Sequence, residues 1–204
     1  MSKIFELEGK NKEELIDQAL AELNASNNEV IINFEETEAK LFKSKKYKVK
    51  IVLKTDIKNY LKDYLKEFST KTGIAMQTEV LESDNVYNIN IIADESSILI
   101  GKDGKNLKAL QLLIRQSVAN EFGNIVKINL DISGYKAKKV SRLEREIKKI
   151  AQEVLKTKID AKLDPMNSYE RRVVHSLISN YENLSTESIG EEPNRYTVIH
   201  YIER

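Results

Sequence analysis

Apolar positions along this chain switch between two periods, and the switches mark its elements. "KIFELEG" sets Ile4, Phe5 and Leu7 against polar neighbours and stops at Gly9, which predicts a short strand. "NKEELIDQALAEL" then repeats Leu15, Ala19 and Leu23 at helical spacing, with Asn11 placed to cap the helix and Glu14 three residues on. "EVIINF" and "KYKVKIVL" are β-branched runs, the second alternating Tyr47, Val49, Ile51 and Leu53 with polar positions. Together they predict a β-α-β-β unit over residues 1–54, of a size marginal for independent stability.

No Gly- or Pro-rich linker separates this unit from the next, which starts near Thr55. "IKNYLKDYLKEFSTKTG" puts Ile57, Leu61, Tyr64, Leu65 and Phe68 on one helical face and closes at Gly73. "IAMQTEVLE" and "VYNINIIA" read as strands, and the "SDN" between them signals a hairpin. The stretch "SSILIGKDGKNLKALQLLI" interrupts a helix-like run with two glycines; beyond Gly104, Leu107, Leu110, Ile114 and Val118 mark a packed helix. "IVKINLDIS" closes the section as a strand, so residues 55–133 run α-β-β-α-α-β.

Residues 134–204 open with a long helix from about Tyr135, whose apolar seam is Val140, Leu143, Ile147, Ile150 and Val154. "AKLDP" reads as a short strand stopped at Pro165. "NSYERRVVHSLISNY" reads as a helix with a capping pattern from Asn167 to Glu170, and "YTVIHYI" as a final strand after the turn "GEEPN". The fold class expected is α+β, as three small modules over 1–54, 55–133 and 134–204, without repeats or low-complexity segments.

Composition narrows the class. Apolar residues make up 41% and charged residues 32%, which suits a globular chain. There is no Cys, which excludes disulfides and thiolate metal sites and fits a reducing cytosol. The first residues lack an apolar signal core and no run reaches membrane-spanning length, so the expected location is the cytoplasm. The net charge of +1 is uninformative, but its distribution is not. Residues 1–54 carry ten basic and ten acidic side chains, residues 55–133 nine and eleven, and residues 134–204 fourteen and eleven. Lys138, Arg142, Arg145, Lys149 and Lys156 repeat along the long helix as a second seam. That stripe reads either as a nucleic-acid track or as a solvated helix face paired locally by Glu144, Glu146 and Glu153.

The Gly101-Lys102-Asp103-Gly104 break carries the first candidate chemistry. Glycines there let backbone approach a ligand with no Cβ in the way, and the start of the following helix adds partial positive charge. Lys102 and Lys105 strengthen that potential and outnumber Asp103, which opposes it. A plain helical corner uses the same glycines. A mononucleotide loop is excluded, because GxxxxGK[ST] is absent, as is GxGxxG. In its setting, "ILIGKDGKNLKALQ" resembles a KH domain of type II, a module that clamps about four nucleotides of single strand with a GXXG loop. The resemblance implies that Ile98 and Ile100 help form a groove for bases; core packing is the other reading of these two.

Arg171 and His175 stand four apart on one helical face, at the edge of a buried face of Val173, Val174, Leu177 and Ile178. Side by side, a guanidinium and an imidazole can grip a phosphate; a surface Arg beside a hydrogen-bonded His is the plainer alternative. "LDPMNSYERRVVHSLI" closely resembles the R-three-H domain, a nucleic-acid-binding module named for its Arg-x-x-x-His. A KH domain followed directly by this module, after a small N-terminal unit, resembles the bacterial Jag (SpoIIIJ-associated) family over the whole chain. Jag N-terminal units carry a glycine- and phenylalanine-rich loop before their last strand, where this chain reads "EAKLFKSKKYKVK" with Phe42 and no glycine.

The resemblance implies binding of single-stranded RNA, with single-stranded DNA as a related ligand, in a post-transcriptional or cell-envelope and division-related regulator. It also implies a small KH-domain protein as partner, with a homodimer as the alternative. The rival class is an adaptor that docks membrane-insertion or cell-division machinery and binds little RNA. No metal, cofactor or catalytic residue is expected: His175 and His200 lie in different elements, and HExxH and GxSxG are absent. Tyr135 and Tyr169, near the basic positions, are the candidates for base stacking.

Overall fold

The computed structural model describes residues 4–37 and 46–203. Most of the "EAKLFKSKK" segment, where the chain departs from the Jag pattern, lies outside the described residues. Two compact units divide after Ser133, the first spanning 1–133 and the second 134–204.

The first unit opens with β1 (Phe5–Gly9), α1 (Lys12–Leu23), β2 (Val30–Thr37) and β3 (Lys46–Leu53) in the sheet order β1-β3-β2. Asn11 caps α1 as its sequence position predicts, accepting from the Glu13 amide at 3.0 Å while its own amide donates to Glu14 at 3.1 Å. Leu15 and Ala19 pack on Val30, Val49 and Ile51 of the antiparallel sheet. A turn of 3-10 helix at Asn27–Glu29, absent from the sequence reading, is closed by Ser26 and Glu29.

The same unit continues with α2 (Lys54–Thr72), β4 (Met76–Ser83), β5 (Val86–Ala93), α3 (Ser96–Ile100), α4 (Lys105–Phe122) and β6 (Lys127–Ile132). This is the α-β-β-α-α-β order the hydrophobic pattern predicts. Asp84 and Asn85 both take positive φ, which makes the hairpin turn the two-residue kind that matches strand twist. β5 pairs antiparallel with β4 and parallel with β6. Ile57, Leu61 and Leu65 of α2 and Leu107, Leu110, Ile114, Val118 and Phe122 of α4 are buried. Each contributes about 1.5–3 kcal/mol on full burial. The Tyr60 ring meets Phe122 edge-on at 5.3 Å and its hydroxyl meets the Ser117 hydroxyl at 2.6 Å, so α2 holds α4 in place.

The second unit consists of α5 (Tyr135–Thr157), β7 (Ala161–Lys162), α6 (Ser168–Ile178), β8 (Leu184–Ile189) and β9 (Tyr196–Tyr201), with the sheet order β7-β9-β8. Its core joins Ile147, Ala151 and Val154 of α5 to Val174 and Ile178 of α6, with Leu163, Leu184 and Ile199. Asn167 and Glu170 form the reciprocal cap of α6. One strand corrects the sequence reading: "LSTESI" forms β8, although its Ser and Thr content leaves no apolar alternation to betray it. Among the described residues no helix is long and apolar enough to cross a membrane.

Candidate nucleic-acid interface

The GKDG break is a rigid corner between α3 and α4. Gly101 sits at φ 69°, ψ 178°, a conformation open essentially to glycine alone. Asp103 and Gly104 are left-handed at φ 56° and 80°, so the backbone reverses within a single 3-10 turn, Lys102–Gly104. The Gly101 amide still donates to Ser97 at 2.9 Å, and that of Gly104 to Gly101 at 3.2 Å. Lys102, Asp103 and Lys105 are exposed, while Gly104 is buried. The first turn of α4 carries Lys105 and Lys108 and no acidic residue; the exposed Asp103, just before it, is the carboxylate that opposes the positive end of its dipole.

The two isoleucines before the loop part company. Leu99 between them is the core residue of α3, at 5% exposure; Ile98 is 54% exposed beside the loop and Ile100 is half-buried. Core packing therefore does not account for Ile98, and it accounts for only part of Ile100. The sequence reading missed Asn106, whose Nδ2 donates to the Ile98 carbonyl at 2.8 Å and whose side chain lies against Gly101. Its signal was a polar, short amide at the second position of a helix directly after the glycine break.

The Arg-x-x-x-His pair lies deeper than its spacing suggests. Arg171 is 7% exposed, and its Nη1 donates to the Met166 carbonyl and to Glu192 Oε1, both at 2.8 Å. The His175 ring lies between two hydroxyls of β8, with Nδ1 bonded to Thr186 and Nε2 to Ser188 at 2.9 Å. Because a hydroxyl can donate or accept, either ring tautomer is satisfied there. Thr197, fully buried, is the strand partner of Ser188, and its hydroxyl has no hydrogen-bond partner among the described residues. Arg171 and His175 therefore fasten α6 to β8 and to the loop before β9 rather than forming an open fork. His175 and Thr186 still line a depression of about 420 Å³ at the end of α6.

Lys138, Arg142, Arg145 and Lys149 are exposed along α5, as the stripe predicts, and Arg145 Nε donates to the Ser141 carbonyl at 3.3 Å. Lys139 joins the start of α5 to the first turn of α6 through Glu170 at 2.7 Å. On the open face of the small sheet, Asp160 accepts from His200 Nδ1 at 2.7 Å and from the Tyr201 amide at 2.9 Å. The His200 hydrogen bond, helped by that amide, holds the Asp160 carboxyl below its ordinary value. Among the described residues no group of three His, Asp or Glu side chains is arranged to hold a metal ion.

Two folds can now be named from these features. Residues 58–132 match the KH domain of KhpA/KhpB, and residues 141–201 match the R-three-H domain, so the chain joins a KH module to an R-three-H module. Over 201 residues it is 32% identical to "RNA-binding protein KhpB" of Bacillus subtilis (strain 168), covering 94% of this chain and 95% of that one. It is 36% identical over 126 residues to the protein of the same name from Clostridium symbiosum, covering 62% of this chain and 57% of the relative. With the one from Streptococcus pneumoniae serotype 2 it shares 34% over 112 residues, or 55% of this chain and 34% of that protein. The chain belongs to the KhpB family, the Jag family of the sequence resemblance.

Proposed function

We propose that this protein binds single-stranded RNA at two sites, one in each unit. The observation that carries the reading is the GKDG corner: a left-handed backbone turn, stripped of side-chain bulk by Gly101 and Gly104, with exposed Lys102 and Lys105 at the start of an 18-residue helix. The loop holds a short run of phosphates, and Ile98 and Ile100 receive the adjoining bases. In the second unit the α6–β8 assembly built by Arg171 and His175 contributes another contact, and Lys138, Arg142, Arg145 and Lys149 attract the phosphate backbone. Two modest sites on one chain then add through effective concentration. The curated relatives of similar sequence, named as RNA-binding proteins, support this reading.

The protein acts in the cytoplasm as a post-transcriptional or cell-envelope and division-related regulator, and its role is binding rather than catalysis. The partner the family resemblance implies is a small KH-domain protein or a second copy of this chain. The exposed Leu112 and Leu113 of α4 favour such a contact in the KH unit.

The test is fluorescence anisotropy of a short randomised RNA, with single-stranded DNA of the same length as competitor, in wild type and Lys102→Asp. Wild type should bind with an affinity that falls steeply as salt rises, and Lys102→Asp should weaken it at least several-fold. Absence of wild-type binding at low salt would sink the reading and leave the adaptor class standing.

A further inference from the structure

The inward commitment of Arg171 and His175 raises the question of which side chains on α6 meet a ligand. The opposite face of the helix answers it. Tyr169, Arg172 and Ser176 recur at +3 and +4 and are all exposed, whereas Arg171, Val174 and Ile178 are buried. Tyr169 is 61% exposed and the only aromatic among the large exposed apolar side chains described. Of the other tyrosines, Tyr60 and Tyr64 lie together, Tyr87 is fully buried, lysine ammonium groups cover the rings of Tyr47, Tyr196 and Tyr201, Tyr181 packs on the core of this unit, and Tyr135 is half-buried. Neither the Tyr169 ring and hydroxyl nor the Arg172 guanidinium is engaged by another side chain among the described residues. The Lys139–Glu170 ion pair ties this turn to the start of α5, from which the basic stripe departs.

We infer that Tyr169 and Arg172 are the RNA-contacting pair of the second unit, Tyr169 stacking on a base and Arg172 pairing with its phosphate, while Arg171 and His175 hold the helix that presents them. The inference rests on the RNA reading above. An open ring with a cation one turn away is the arrangement that single-strand binders use, because every base has a face to stack and every nucleotide a phosphate to neutralise. Burying Arg171 is compatible with this, since its hydrogen bonds to Met166 and Glu192 lock the start of α6, the turn from which Tyr169 projects.

The experiment measures RNA anisotropy for Tyr169→Ala, Tyr169→Phe and Arg172→Ala, in the wild-type chain and in the Lys102→Asp background, with circular dichroism on each. Tyr169→Ala should weaken binding about tenfold. Tyr169→Phe, which keeps the ring, should stay within about twofold of wild type. Arg172→Ala should weaken binding and reduce the salt slope by about one. The losses should be larger in the Lys102→Asp background, where the second unit carries the remaining affinity. If Tyr169→Ala and Arg172→Ala bind as their parents do in both backgrounds while Lys102→Asp alone weakens binding, the inference is overturned and the RNA reading survives. If wild type binds no RNA, both fall together.

Discussion

Asn106 braces Gly101: the carbon of its amide lies 2.6 Å from where a β-carbon on that glycine would sit, and its nitrogen grips the Ile98 carbonyl at 2.8 Å. The loop and the first apolar residue beside it are thereby held by one side chain. Gly101→Ala meets both a glycine-only backbone conformation and this contact, so it should destabilise the fold by about 1–3 kcal/mol. Asn106→Leu keeps much of the volume and removes the hydrogen bond; its expected signature is weaker RNA binding with a thermal midpoint close to wild type. Differential scanning fluorimetry with anisotropy separates the two, and an Asn106→Leu variant of unchanged affinity would show that the brace is dispensable.

The two hydroxyls around His175 make a second prediction. His175→Ala leaves Thr186 and Ser188 without their partner in a half-buried place, for an expected cost of about 1–3 kcal/mol. Thr186→Val with Ser188→Ala removes the strand side of the same contact. Urea unfolding of the single and combined variants should show strong non-additivity, because all of them remove one network. Simple addition of their effects would mean that the imidazole is not joined to β8 in solution.

Arg171 and Glu192 should respond unequally to truncation. Arg171 is buried and also carries the Met166 carbonyl, so Arg171→Ala should cost about 2–3 kcal/mol. Glu192 is 58% exposed; Glu192→Ala leaves the buried guanidinium without its carboxylate but still on the Met166 carbonyl, so it should cost about 1–2 kcal/mol, less than Arg171→Ala. Denaturant midpoints of the two variants decide this, and equal losses would contradict the burial asymmetry.

Asp160 sets a pH dependence. Its carboxyl is held below the ordinary value of 3.8, first by the His200 hydrogen bond and then by the Tyr201 amide. A depressed carboxyl adds stability that is fully present above the ordinary value and is lost as pH falls through its folded one. Glu187, whose Oε2 lies 3.7 Å from the other ring nitrogen, flanks the same imidazole. Asp160→Asn should therefore lower the unfolding midpoint at neutral pH and close on wild type only as pH falls below the ordinary value of 3.8. A gap of constant size over that range would exclude the proposed linkage.

Much of this architecture was legible because it rests on period and punctuation. The seam from Leu107 to Val118, the Asn11 and Asn167 caps and the Gly73 stop each have a local cause, and each appears where the pattern puts it. The GKDG corner was legible for the same reason, since its glycines answer a local backbone requirement. β8 was not, because beyond Leu184 its inward positions are Thr186 and Ser188, which meet an imidazole rather than an apolar core. The depth of Arg171 was hidden likewise, as its partners at 166 and 192 lie in loops that no periodicity describes. Spacing put Arg171 and His175 on one face; only their partners told which way that face points.

The junction of Leu53 and Lys54 has a mechanical consequence. β3 ends at Leu53 and α2 begins at the next residue, while the fully buried Tyr87 of β5 holds the Lys54 carbonyl at 3.1 Å and Glu82 of β4 holds its ammonium at the same distance. No residue is left over to act as a swivel. β3 runs on into α2, Tyr60 of α2 meets α4 at Ser117 and Phe122, and the glycine corner sits at the head of α4. Leu53, the last residue of the N-terminal sheet, is also the residue that caps the first helix of the KH fold, so sheet and helix share one joint.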